Sequence, residues 1–178
     1  MIEIKNISKK FGKLEVLKNV SVSCNSGQCI ALIGPNGCGK TTLIKSILGM
    51  VIPDFGSMEF NQKSIFGDYL YREKIGYMPQ IGRYPDTMTI GEIIEMVKKI
   101  RNSKDNLDED LFRDFEIEKM LNKQMRTLSG GTTQKISAVL AFMFNPDVLI
   151  LDEPTAGLDP LAAEVLKEKI IKEKEKGK

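Results

Sequence analysis

Ile2, Ile4 and Ile7 stand among polar residues, the pattern of a strand with one buried face. Phe11-Gly12-Lys13 reads as a turn, and Val16 to Val22 alternates loosely, as a second half-wet strand does. After the turn at Asn25-Ser26-Gly27 comes an unbroken apolar run, Cys29-Ile30-Ala31-Leu32-Ile33, which predicts a buried strand. Leu43-Ile44-Lys45-Ser46-Ile47-Leu48 predicts the first turns of a helix. Another turn over Pro53 to Ser57 precedes the alternating Ser57-Met58-Glu59-Phe60. These elements predict a small antiparallel sheet wrapped around the start of a parallel α/β core.

Further along, Lys74 to Gln80 predicts a short core strand that ends in a glutamine. Thr89 and Glu92 have capping-box spacing, and Ile90, Ile93, Ile94 and Val97 follow at helical intervals. Asn102 to Asn106 reads as a polar link, with short helices expected over Leu107–Phe115 and Ile117–Leu121. A glycine turn at Leu128-Ser129-Gly130-Gly131 opens a long amphipathic helix through Ile136, Val139, Leu140 and Met143. Pro146-Asp147 follows, then a buried strand, Val148-Leu149-Ile150-Leu151, running into Asp152-Glu153. A last helix is expected from Leu161 to about Lys176, with the Lys/Glu alternation from Lys167 onward on a solvated face.

Composition narrows the function classes. The chain has 178 residues, a formal charge of +2 and 28% charged residues. That length suits one domain, and the near balance of charge does not demand a polyanionic partner. Lys5, Lys9, Lys10 and Lys13 read as a solvated face, because no basic or aromatic stripe extends them. No apolar run reaches the roughly 20 residues of a membrane span. Cys24, Cys29 and Cys38 are odd in number and lack metal-ligand spacing, which favours a reducing cytoplasm. Histidine is absent.

The chemistry centres on Gly34-Pro35-Asn36-Gly37-Cys38-Gly39-Lys40-Thr41-Thr42, set between the expected strand and helix. This is the phosphate-binding loop in its usual context. The glycines let the backbone curl so that several amides point at one centre, at the positive end of the following helix. Lys40 adds a point charge for the β- and γ-phosphates, and the Thr41 hydroxyl is placed to ligate Mg²⁺. Downstream, the apolar run ending in Asp152-Glu153 supplies acidic groups of the kind that hold Mg²⁺ and deprotonate an attacking water.

Taken in order, Phe11, Gly34–Thr42, Gln80, Leu128–Gly131, Val148–Glu153 and Gly157-Leu158-Asp159-Pro160 resemble the nucleotide-binding domain of ABC (ATP-binding cassette) proteins. Walker A is Gly34–Thr42, Walker B is Val148–Asp152, and Leu128-Ser129-Gly130-Gly131 looks like the family signature. The resemblance implies a P-loop NTPase (RecA-like) α/β core, an N-terminal antiparallel β subdomain and an inserted α-helical subdomain. Residues 1–80 and 142–178 would form the core with its β subdomain, and 81–141 the helical subdomain. Phe11 would stack on adenine. Gln80 would touch Mg²⁺ and the attacking water, so that Thr41, Gln80 and Asp152 form the metal set. Glu153, Gln80 and Lys40 would be the catalytic residues. Ser129, Gly130 and Gly131 would bind the γ-phosphate held by a second cassette, and Asp159 would lie in the D-loop at the same interface.

The sequence departs from the family pattern twice. Thr132 stands where the signature usually continues with glutamine, and the switch histidine is missing. Its usual place lies beyond the final helix, so the C-terminal strands are expected to be missing and hydrolysis to be slow. The resemblance implies an ATP- and Mg²⁺-dependent ATPase subunit of a membrane transporter. It would dimerise head to tail and sit on the inner face of the membrane, with Arg83-Tyr84-Pro85 near its permease partner. No nucleic-acid partner is expected. The alternatives are a soluble ABC ATPase acting on DNA or the ribosome, or a nucleotide-binding module with little hydrolysis. Against the first, Gly76 to Gly131 leaves no room for a coiled-coil insertion, and the chain holds a single cassette.

Overall fold

The computed structural model describes residues 1–102 and 106–178, and the chain divides into two compact units, Met1–Arg72 with Gly177 and Glu73–Lys176 with Lys178. Most of the polar link expected over Asn102–Asn106 lies outside the described residues.

In the first unit, β1 (Ile2–Phe11) pairs antiparallel with β2 (Leu14–Cys24) and with β3 (Phe55–Phe60). A short β4 (Lys63–Ser64) adds to β3, giving the order β2-β1-β3-β4. The spacing Ile2, Ile4, Ile7 breaks strict alternation, yet all three side chains are buried. A register shift between Ile4 and Ile7 reconciles the two, with Asn6 at φ 53 donating its amide to Ser21 Oγ at 2.8 Å. The extra residue turns Ile7 back to the buried face. Helix α1 (Lys40–Ile47) packs against β2 and buries Leu43, Ile44 and Ile47.

The apolar run Cys29–Ile33 corrects an expectation. It forms no strand, its residues are exposed, and Ile33 retains 92% of its surface. A parallel strand is stable only when neighbours take up its amides and carbonyls. The described strands of this unit pair with one another, and none pairs with Cys29–Ile33.

The second unit is built on a parallel pair, β5 (Ile75–Met78) and β6 (Val148–Leu151), with Ile75 opposite Val148 and Met78 opposite Leu151. Around it lie α2 (Ile90–Ile100), α3 (Asp110–Asp114), α4 (Gly130–Phe142) and α5 (Pro160–Glu175). Their buried faces form one core that includes Met78, Ile90, Ile93, Leu111, Ile136, Val139, Phe142 and Leu166. The α2 capping box is realised: Glu92 N donates to Thr89 Oγ1 at 3.2 Å, and Thr89 N donates to Glu92 Oε2 at 2.8 Å. Gly76 is required by close approach, since a Cβ there would lie 2.0 Å from Ala141 O on α4. The second helix expected after the link is a 3₁₀ turn, Ile117–Met120. Val148–Leu151 is half-buried where a buried strand was expected, because β5 is its only ladder partner among the described residues.

The end of α5 also departs from expectation. Lys169 and Glu173 are buried, at 3% and 1% exposure, on the face read as solvated. Lys169 Nζ meets Asp108 Oδ2 at 2.5 Å, Asp110 Oδ2 at 2.9 Å and Glu173 Oε1 at 3.0 Å. Burial alone would lower the Lys169 pKa, but these carboxylates hold it above the ordinary lysine value. Glu173 would be raised by burial, yet Lys176, Lys178 and Lys169 push it down to about 2. The alternation looked solvated because its acidic partners lie far away in sequence, at the start of α3.

Two consequences follow for stability. Lys169→Ala leaves the nearly buried Asp108 carboxylate without its ammonium and takes one of three lysines from Glu173, and should cost roughly 3 kcal/mol in urea unfolding. Glu173 has a depressed folded-state pKa, so its contribution is present above the ordinary glutamate value and is lost as pH falls through about 2. Melting followed from pH 6 downward should therefore steepen below about 4.3, and Glu173→Gln should remove part of that slope. Equal slopes in the two proteins would contradict the assignment.

Candidate functional site

The candidate residues in the first unit gather around the start of α1. Gly37 and Gly39 have φ of 80° and 98°, in the left-handed region that favours glycine. A Cβ at Gly39 would sit 2.8 Å from Val16 O and 3.0 Å from Leu17 Cδ2, so this position is closed to larger residues by space as well as by backbone angle. Gly39 caps α1 without a side-chain hydrogen bond, leaving the helix start to backbone amides. Lys40 lies back across the loop, its Nζ donating to Gly34 O at 2.7 Å and Pro35 O at 3.0 Å. The ammonium is thus held over the loop by carbonyls that a phosphate oxygen can replace. Thr41 and Thr42 occupy the first turn and are half-buried, while Asn36 and Cys38 are exposed.

Next to this loop is a cleft of about 390 Å³, lined by Leu14, Val16, Leu17, Val20, Gly37 and Cys38 among others. Phe11, half exposed, is the register partner of Leu14 at the turn end of the hairpin. The Lys9 ammonium lies 5.5 Å from the Phe11 ring centroid and is fixed to Asp54 Oδ1 at 2.7 Å. Lys9 thus departs from the solvated face expected of it, its side chain keeping 17% of its surface. Its i+2 spacing from Phe11 on one strand face was the available signal.

In the second unit, β5 and β6 deliver the acidic pair and the glutamine together. Asp152 N donates to Met78 O at 2.9 Å, continuing the ladder one residue past the strand end. Asp152 is buried, at 6% exposure. Gln80 Nε2 donates to Glu153 Oε2 at 2.8 Å, so two residues singled out in sequence are brought into contact. Glu153 has φ 50, an uncommon conformation for a non-glycine residue that costs on the order of 1 kcal/mol. Strain of this kind concentrates at functional positions.

The Ser129-Gly130-Gly131 segment forms the start of α4. Ser129 Oγ accepts from Thr132 N at 3.2 Å and lies 3.0 Å from Thr132 Oγ1. Thr132, the departure from the signature, therefore supports the cap through its hydroxyl. Gly131 abuts the segment before α5, where a Cβ would lie 2.7 Å from Gly157 O. Asp159 caps α5 by accepting from Ala162 N at 2.8 Å, and Lys135 Nζ pairs with Asp159 Oδ2 at 2.7 Å. Lys135 and the Ala162 amide hold the Asp159 carboxyl below its ordinary pKa. The pairing of Lys135 with Asp159 was not legible in the sequence, since nothing local links α4 to the segment before α5.

Two of the helix starts suit the phosphates of a nucleotide. The α1 start and the α4 start are both glycine-lined helix N-termini, which attract anions. Among the described residues no group of three or more His, Cys, Asp or Glu side chains could hold a metal ion by itself.

Comparison with known proteins gives the family. The ABC transporter family model matches residues 17–156. The chain is 34% identical to the ABC-type transporter ATP-binding protein EcsA of Bacillus subtilis (strain 168), over 99% of this chain and 74% of that protein. It is 31% identical to a Nod factor export ATP-binding protein I of Ralstonia nicotianae, over 96% of this chain and 54% of that one. A sulfate/thiosulfate import ATP-binding protein of Pectobacterium atrosepticum is 34% identical over 89% of this chain and 50% of its own length. The chain thus spans about half the length of several curated relatives it matches. Among solved structures, an ATP-binding subunit of an ABC transporter superposes with a TM-score of 0.90 at 32% identity, covering 99% of this chain and 75% of that one. A dimeric ATP-binding cassette in a post-hydrolysis state bound to ADP and Pi gives a TM-score of 0.88 at 25% identity, covering 100% of this chain and 85% of the other. On the family model and these relatives, the chain belongs to the ABC transporter family of ATP-binding proteins.

Proposed function

We propose that this chain is the ATP-binding and ATP-hydrolysing subunit of a membrane transporter. The observation that carries the reading is the Gly34–Thr42 loop, whose left-handed glycines open a backbone cradle beneath the Lys40 ammonium. Lys40 and the loop amides hold the phosphates. The cleft beside Gly37 takes the nucleoside, with Phe11 available for stacking on the base. On the family resemblance, Thr41, Asp152 and Gln80 would be the groups that hold Mg²⁺, which would neutralise charge on the phosphates. Glu153 accepts a proton from the attacking water, and Gln80 keeps its carboxylate oriented through the 2.8 Å bond. Ser129, Gly130 and Gly131 present amides to the nucleotide of a second copy or a related cassette.

Several observations support the transporter setting. Relatives named as import and as export ATP-binding proteins match most of the chain. No helix among the described residues is long and apolar enough to cross a membrane. In the proposed assembly the membrane spans belong to permease partners. The chain would then sit on the cytoplasmic face. Arg83 and Pro85, exposed in the loop after Gln80, are available for docking there.

Three measurements test this reading. Lys40→Ala should abolish ATP binding in equilibrium dialysis, because backbone amides alone do not neutralise a triphosphate; unchanged affinity would refute the site. Cys38 is exposed within the loop and should be modified by a maleimide in the nucleotide-free chain, with ATP shielding it. Equal labelling with and without ATP, read by mass spectrometry, would place the nucleotide elsewhere. Glu153→Gln keeps the shape but cannot take the proton, so it should give an ATP-stabilised dimer in light scattering. A monomer at saturating Mg-ATP and high protein concentration would count against the paired-cassette reading.

A further inference from the structure

A line of hydroxyl groups runs along α4 and ends in the loop that carries Gln80. At the helix start, Thr133 Oγ1 donates to Ser129 O at 3.2 Å. One turn on, Ser137 Oγ donates to Thr133 O at 3.1 Å. Ser137 Oγ then meets the Tyr84 hydroxyl at 2.9 Å. The spacing of four residues puts Ser129, Thr133 and Ser137 on one stripe of the helix. Ser137 is buried, at 1% exposure, and burial raises the Tyr84 pKa above the ordinary tyrosine value.

The loop is also fitted closely to this stripe. A Cβ at Gly82 would lie 2.3 Å from Ser137 Oγ and 2.9 Å from Tyr84 Cε2. Gly82 thus lets the chain pass close to the helix, and Tyr84 fastens it there. Two residues before Gly82, Gln80 donates to Glu153. The loop therefore has Gln80 at one end and the Tyr84–Ser137 bond at the other, with few residues between to absorb slack. A shift of α4 along its axis would carry Ser137, then Tyr84, and would pull on the Gln80–Glu153 contact.

We propose that Tyr84 is a positioning residue for the Gln80–Glu153 pair. It ties that pair to the helix whose capped start bears Ser129-Gly130-Gly131. The proposal rests on the ATPase reading above and assigns a role to a residue outside the nucleotide- and metal-binding set. Tyr84 does not touch the reacting atoms. It makes the signature cap and the loop of Gln80 move as one body, so that engagement of an anion at the start of α4 is felt at Glu153. Serine and threonine bonding back along a helix are a local feature. The bond to Tyr84 turns that feature into a connection between segments distant in sequence.

The test is a double-mutant cycle on the full chain, using Tyr84→Phe and Ser137→Ala. ATP binding is measured in the same samples by equilibrium dialysis and folding by thermal melting. Tyr84→Phe should lower kcat about tenfold while KM for ATP stays within about twofold, because the nucleotide contacts are untouched. Ser137→Ala should produce a similar loss, and the double variant should lose no more than either single one, since all three delete one bond. Gly82→Ala, which wedges the loop from the helix with every hydroxyl retained, should show the same kcat loss. An unchanged kcat in Tyr84→Phe, or losses that multiply in the double variant, would overturn the proposal. A merely structural bond would lower the melting temperature without separating kcat from KM. A wild-type chain that fails to bind ATP would instead refute the functional reading, and this inference with it.

Discussion

Parallel pairing of β5 with β6 is the constraint on which the acidic pair and its glutamine depend. Parallel strands in register must release their chains from the same end. Met78 lies opposite Leu151, so Gln80 and Glu153, each two residues beyond, emerge side by side. Their 2.8 Å hydrogen bond follows from this register. A slip of one residue would point every side chain of the strand to the opposite face and separate the pair. Gly76 protects the register by allowing α4 to lie directly on the sheet, where a Cβ would meet Ala141 O. The left-handed backbone of Glu153 then turns its carboxylate toward Gln80.

Helix starts supply the remaining chemistry, and each is finished differently. Gly39 leaves the first turn of α1 to its amides, as an anion cradle requires. Ser129 caps α4 with its own hydroxyl and is backed by Thr132, while Gly130 and Gly131 keep the first turn free of side chains. Asp159 caps α5 and takes Lys135 as a counter-ion. The same structural unit, a helix N-terminus, is thus left open to an anion in one place and used for mechanical attachment in another. The difference lies in whether the cap residue offers a side chain.

Much of this was legible in the sequence, because the motifs are contiguous and their chemistry is local. The glycine turn before α1, the Thr89–Glu92 capping box and the helices Ile90–Ile100 and Pro160–Glu175 are each encoded within a short window. Contacts that join distant segments were harder to read. The run Cys29–Ile33 is apolar enough for a buried strand, but apolarity states a preference for burial and does not supply a ladder partner. Lys169 and Glu173 looked like surface charge because Asp108, 61 residues from Lys169, is invisible to a helical-period pattern. The bulge between Ile4 and Ile7 left a trace in the three-residue spacing, which a strict alternation test passes over. Within α4, Ser129, Thr133 and Ser137 are visible as a stripe, but their partner Tyr84 is not.

The central claim is that the chain binds nucleotide chiefly through its phosphates, at the glycine cradle and Lys40. Titration calorimetry of the wild-type chain with Mg-ATP, and separately with adenosine, addresses it directly. The account predicts saturable binding of ATP and little or none of adenosine, because the amides and the ammonium have no phosphate to engage in the nucleoside. Comparable affinity for the two ligands, or no binding of ATP, would contradict it.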